Sequence, residues 1–166
     1  KEHVQMNMHK PFLCAQIVLI SDYCGSYEWI ADKVEQIKRY LHYYRNTYFM
    51  EEKGLYVWCD DIMIGMDNDP ASFGRPKFST ANIFLNSFMV HELECAEKIM
   101  KICGQEASCY AEHRKTLVRA VQEECWDNRD EIYYSVDVDI KTRKYDWFHQ
   151  GFDVFWKTLP IKIQVW

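Results

Sequence analysis

Four aspartates stand within ten residues of one another, at positions 60, 61, 67 and 69. They lie in the stretch Trp58-Cys59-Asp60-Asp61-Ile62-Met63-Ile64-Gly65-Met66-Asp67-Asn68-Asp69-Pro70, which runs on to Phe73-Gly74-Arg75-Pro76. Carboxyl groups this close repel one another's charge, and repulsion with partial burial raises an Asp pKa towards the value a general acid needs near neutral pH. The same stretch holds Trp58, whose flat ring can carry a sugar, and Arg75, whose fork of donors can hold hydroxyls. Hydrolysis of a glycoside is the chemistry these residue types allow.

Other uses compete. Asn68 and Asp69 before Pro70 are good Asx-turn formers, so the aspartates also read simply as turn and cap residues. A calcium loop would begin at Asp67 and Asp69, but Ala71 and Phe73 stand at later ligand positions and Phe78 where the closing glutamate belongs. The aspartate-rich magnesium motif of helical prenyl-transfer enzymes would need an Asp at position 64, where Ile64 stands. No metal ligand set and no cofactor motif is read. Turn chemistry and a glycosidase acid remain.

The elements around the loop are helical. Pro11 leads Phe12 to Ile20, apolar nearly all round, which predicts a buried helix over 11–23 closed by Asp22 and Gly25. Ser26 is a cap for a helix over 27–48. Its residues Ile30, Val34, Ile37, Leu41, Tyr44 and Tyr48 recur at four-three spacing, with Lys33, Glu35, Lys38 and Arg39 opposite. Beyond the loop, Ser79 and Thr80 are cap candidates for an apolar helix over 80–103 stopped by Gly104, and an amphipathic helix follows over 105–126. The repeated order of apolar and amphipathic helix is what an α/α toroid requires, since its inner helices are covered on both sides. Ile132–Val138 alternates as a strand of a short antiparallel pair. The fold expected is all-α, part of an (α/α)6 toroid with a small β-hairpin insertion.

Composition narrows the partners. A net charge of −5 argues against nucleic acid or an anionic membrane as partner. No apolar run approaches the ~20 residues of a membrane span. The seven cysteines, at 14, 24, 59, 95, 103, 109 and 125, include no Cys-x-x-Cys pair; a cytoplasmic, reducing compartment fits them, although the compartment itself stays open. Residues 1–10 are polar without an initiator Met, and the chain closes on the apolar run from Trp147 to Trp166. Residues 1–166 therefore read as one domain incomplete at both ends. An apolar edge around Phe155, Ile161, Val165 and Trp166 is expected to pack on the remainder of the barrel.

The segment Gly65-Met66-Asp67-Asn68-Asp69-Pro70 resembles the motif around the acid in glycoside hydrolase family 63 and its trehalase-like relatives, where Glu-Ser-Gly is followed by a large residue and then the acidic Asp. Lys10-Pro11-Phe12, the helix pair after the loop, and Cys125-Trp126-Asp127 through Tyr133-Tyr134-Ser135-Val136 also resemble that family. The resemblance implies an (α/α)6 barrel and inverting hydrolysis of α-linked sugars, glucosidase- or mannosidase-like. Asp67 takes the catalytic acid role, and Trp58, Asn68 and Arg75 bind an oligosaccharide or α-linked disaccharide. The family's base is a glutamate in later helices, beyond Trp166, so 1–166 alone is expected to be inactive. Met63-Ile64 departs from the family's Glu-Ser, Arg75 lies further from Asp67 than the corresponding arginine, and 49–54 lacks the calcium-binding series of some members. These departures motivate the alternative, a catalytically inactive helical carbohydrate-binding or scaffold protein; an unrelated helical interaction module is third.

Overall fold

The computed structural model describes residues 10–65 and 76–138. Helix α1 spans Leu13–Cys24 and is closed by Gly25, whose φ of 71° is the left-handed conformation helix ends favour. The stretch expected as one helix over 27–48 divides into a 3-10 helix, Glu28–Lys33, and α2, Val34–Tyr48. The tighter first part lets the Trp29 indole donate to Ser21 Oγ at 3.0 Å while Ile30 enters the core. Ser26 Oγ accepts from the Glu28 N–H at 3.2 Å, and all six positions of the four-three stripe are buried. The periodicity was a sound guide to α2.

Strands β1 (Phe49–Met50) and β2 (Leu55–Tyr56) form a tight antiparallel hairpin after α2. A one-turn helix α3, Asp61–Ile64, opens the acidic stretch, and β3 (Thr80–Ala81) follows it. Helices α4 (Ile83–Ile102) and α5 (Ser108–Glu124) come next, then β4 (Trp126–Asp127), β5 (Ile132–Tyr133) and β6 (Val136–Asp137). Ser79 and Thr80 do not cap α4: Thr80 is in β3, and Asn82 is the cap, its Oδ1 accepting from Phe84 N–H at 2.7 Å. The strand expected over Ile132–Val138 is broken at Tyr134 and Ser135. Its first half pairs with β4 and its second half with β3, because Tyr134 N–H turns back to the Cys125 carbonyl at 2.7 Å.

Helix contacts fix how the pairs are arranged. Phe12 meets Phe88, Glu92 accepts from Cys14 and Ala15, and Lys98 holds Asp22, so α1 and α4 run parallel. Lys38 bonds Gln105 and Arg45 bonds His113, so α2 and α5 are parallel too. Between α4 and α5 the chain reverses through Gly104 at φ 67°, and Arg114 reaches back to Glu97 at 3.2 Å. Two helical hairpins thus stand side by side with like helices adjacent, the arrangement of an α/α toroid wall. Ten of the twenty residues of α4 are buried, while α5 buries only Leu117 completely, which makes α4 inner and α5 outer. Helix α1 differs from expectation: only Cys14, Ile17 and Ser21 are buried, and Leu19, Ile20 and Tyr23 stand exposed. Its inward side meets α4 and the 3-10 helix, and no described element covers the other.

The core has two centres. One joins α1, α2 and the C-terminal half of α4 through Ile17, Ile30, Ile37, Leu41, Ala96 and Ile99. The other surrounds the base of the acidic stretch, with Tyr48, Tyr56, Trp58, Met63, Leu85 and Leu117. Each fully buried aliphatic side chain contributes about 1.5–3 kcal/mol.

Candidate active-site loop and its stems

The acidic stretch is flanked by two stems that are bonded to each other. The Val57 N–H donates to the Tyr48 carbonyl at 2.8 Å, and the Trp58 N–H to the Thr80 carbonyl at 3.3 Å. Returning, the Phe78 N–H is shared between the carbonyls of Trp58 and Cys59, both at 3.1 Å. Asp60 joins the two stems with its side chain. One oxygen accepts from the Met63 N–H at 3.2 Å and caps α3, and the other lies 3.1 Å from Lys77 Nζ on the returning stem. Phe78 holds φ at 58°, a left-handed value that costs an aromatic residue about 1–2 kcal/mol, and its ring stacks on Tyr48. The strain sits where the returning stem turns into the core.

Three polar side chains, on α4 and beside it, organise this end, two of them, Asn86 and Glu92, fully buried. Asn86 treats β2 as a neighbouring strand would: its Oδ1 accepts from the Tyr56 N–H at 2.8 Å and its Nδ2 donates to the Tyr56 carbonyl at 2.9 Å. Its Nδ2 also donates to the Asn82 carbonyl at 2.9 Å, so the amide is satisfied within the core. Ser135 Oγ accepts from the Ile83 N–H at 3.1 Å, satisfying a further free donor at the α4 N-terminus. Further along, fully buried Glu92 caps α1 from another helix, accepting from Cys14 N–H at 2.6 Å and Ala15 N–H at 3.0 Å. Burial pushes the Glu92 carboxyl above the usual range, and the N–H bonds work against that rise. Capping α1 is what the buried carboxylate does there. Sequence reasoning passed over Asn86 and Glu92; a polar residue inside an otherwise apolar stripe was the signal for both.

Of the residues singled out from sequence, Trp58 is described and Asp67, Asn68 and Arg75 lie outside the described residues. So do Phe155, Ile161, Val165 and Trp166. Trp58 is 2% exposed, and its Nε1–H meets no acceptor among the described residues. Its ring faces are therefore packing surface, and its N–H is buried with them. The Asp60 charge is matched by Lys77, so it adds less like charge to the stretch than its position implied. Lys10 Nζ also lies beside Gly65, at the far end of α3, where φ is 61°. Met63, where the resembled motif has a carboxylate, is 4% exposed, and its sulfur accepts from the Cys59 N–H at 3.4 Å. Among the described residues, no three His, Cys, Asp or Glu side chains gather as a metal site, and no helix is long and apolar enough to cross a membrane.

Paired parallel helices, with the bonded stems of the acidic stretch between an outer and an inner helix, make this an α/α toroid-type helical domain. The chain matches the sequence model of the mannosylglycerate hydrolase MGH1-like glycoside hydrolase domain over residues 4–149, and it belongs to that family. A solved structure described as "Sialidase" shares the fold, with a TM-score of 0.64 at 20% identity over 76% of this chain. The chain spans 12% of the length of that structure. No curated protein matches it.

Proposed function

We propose that this chain is part of the catalytic domain of an inverting α-glycoside hydrolase, related to glycoside hydrolase family 63 and the trehalases, with Asp67 as general acid. Residues 1–166 are then one stretch of a single (α/α)6 domain whose general base, a glutamate, follows Trp166. The observation that carries this reading is the family match, which spans the acidic stretch and both of its bonded stems. Asp67 gives its proton to the leaving oxygen as the glycosidic bond breaks. The base takes a proton from water attacking the opposite face of the sugar, which inverts the anomeric centre. Asn68, Arg75 and the Trp58 N–H hold sugar hydroxyls. The family's name makes mannosylglycerate the first substrate to test, and α-linked glucose disaccharides the second.

A second reading has its own support. The buried thioether of Met63 fills the position of a carboxylate in the resembled motif, which favours a domain that binds sugar without cleaving it. Proton NMR of the full-length protein with mannosylglycerate distinguishes the two. Release of the β-anomer first is expected for the enzyme. The α-anomer first would contradict inversion, and saturable binding without release would favour the silent binder.

A further inference from the structure

A cleft of about 400 Å³ opens on the outer wall, between the C-terminal end of α2, the β1–β2 hairpin and α5. None of its lining residues belongs to the acidic stretch or its stems. The volume is at the lower end for small-molecule pockets, enough for about one sugar ring. Its walls are fixed before any ligand arrives. Arg45 lies 4.1 Å over the Phe49 ring and donates to Glu51 Oε1 at 2.7 Å. His113 packs edge-on against Phe49 with ring centroids 4.9 Å apart. Its Nδ1 accepts from Arg45, so Nε2 carries the hydrogen and donates to the Tyr56 hydroxyl at 2.7 Å. Gly54 lets the hairpin approach closely, since a Cβ there would stand 3.1 Å from Ala120 Cβ, and Lys53 pairs with Glu124 at 2.8 Å.

The lining sets the ligand's chemistry. Glu51 and Glu112 against the single cation Arg45 leave one net negative charge, with His113 neutral, which repels anions. No described residue bonds the Glu112 carboxylate, and one Glu51 oxygen remains after Arg45 is served, so acceptors stand open. Arg45 keeps N–H donors beyond its bonds to His113 Nδ1 and Glu51. An apolar ligand would strand these groups from water. A hydroxyl-rich ligand answers both kinds, because each hydroxyl donates and accepts. We propose that this cleft is a second carbohydrate-binding site, on the outer wall and separate from the acidic stretch, taking a neutral, hydroxyl-rich ligand about the size of a monosaccharide.

Cys109 lines the cleft and is exposed, while Cys24 is exposed at the end of α1 outside it, giving a reporter and its control. Iodoacetamide labelling of the intact protein, read by peptide mass spectrometry, follows both thiols at once. With about 100 mM methyl α-D-mannopyranoside, a site of millimolar Kd should slow Cys109 about threefold or more and leave Cys24 unchanged. Glu112→Leu should abolish the protection while the circular dichroism spectrum stays the same. Absence of protection, equal slowing of both thiols, or protection that survives Glu112→Leu would overturn the proposal. Protection by propylamine or propionate but not by the mannoside would also overturn it, assigning the cleft to an ion instead. The outcome is independent of whether Asp67 is the acid.

Discussion

The two core centres are built by different means. The centre joining α1, α2 and the end of α4 is held by aliphatic packing among Ile17, Ile30, Ile37, Leu41 and Ile99. The centre beneath the acidic stretch is also apolar, but its backbone is fixed by side chains: Asn86 on Tyr56, Ser135 on Ile83, and Asp60 on Met63 and Lys77. The difference follows from what each must hold. Helices satisfy their own backbone groups except at their ends, as at the α1 N-terminus that Glu92 caps, whereas two-residue strands and loop stems leave most of their donors and acceptors for something else to meet. Packing tolerates small changes of shape, and a hydrogen-bonded clasp does not tolerate loss of one partner.

Substitutions should separate the two regimes. The largest effect is expected from Asn86→Leu, which keeps the volume but strands the buried N–H and C=O of Tyr56, at about 3–5 kcal/mol in urea unfolding. Ile99→Val, in the packed centre, should cost about 1 kcal/mol. If the two substitutions cost the same, the stems are held by packing after all.

The next test is pH. Burial, with Arg45 alongside, lowers the His113 pKa from its ordinary 6.5 to about 4. Between those values the unfolded chain binds a proton that the folded chain does not, so stability rises with pH across that window and is lost as pH falls from 6.5 to 4. The loss should be no more than about 2 kcal/mol, given the partial exposure of the ring. His113→Asn should flatten that part of the stability profile; an unchanged slope would remove His113 as its source. The smallest effect compares two glycines. Gly25 and Gly54 both have positive φ, but a Cβ meets nothing at Gly25 and Ala120 at Gly54. Gly25→Ala should cost about 1 kcal/mol, and Gly54→Ala measurably more. Equal costs would mean that the hairpin does not press on α5.

The same contrast governs what could be read from the chain. The stripe from Ile30 to Tyr48, the stop at Gly25 and the inner character of α4 follow from periodicity and turn residues, because each is decided within a few residues. The cap of α1 by Glu92 could not be read that way, since donor and acceptor are 77 and 78 residues apart. The division of 132–138 between two partners is hidden for the same reason: alternation gives a strand its faces but not its neighbour. At the candidate site, residue types pointed to the acidic stretch, but the pairing of Asp60 with Lys77 and the burial of Trp58 depend on the tertiary fold.

Asp67, which lies in sequence between those stems, is the proposed proton donor. The direct measurement is the turnover of an unactivated α-glycoside by the full-length protein and its Asp67→Asn variant. Asn keeps the shape and has no proton to give, so turnover should fall by about 10²–10⁴ while the unfolding midpoint stays near that of the wild type. Turnover close to wild type in a folded Asp67→Asn protein would contradict the assignment.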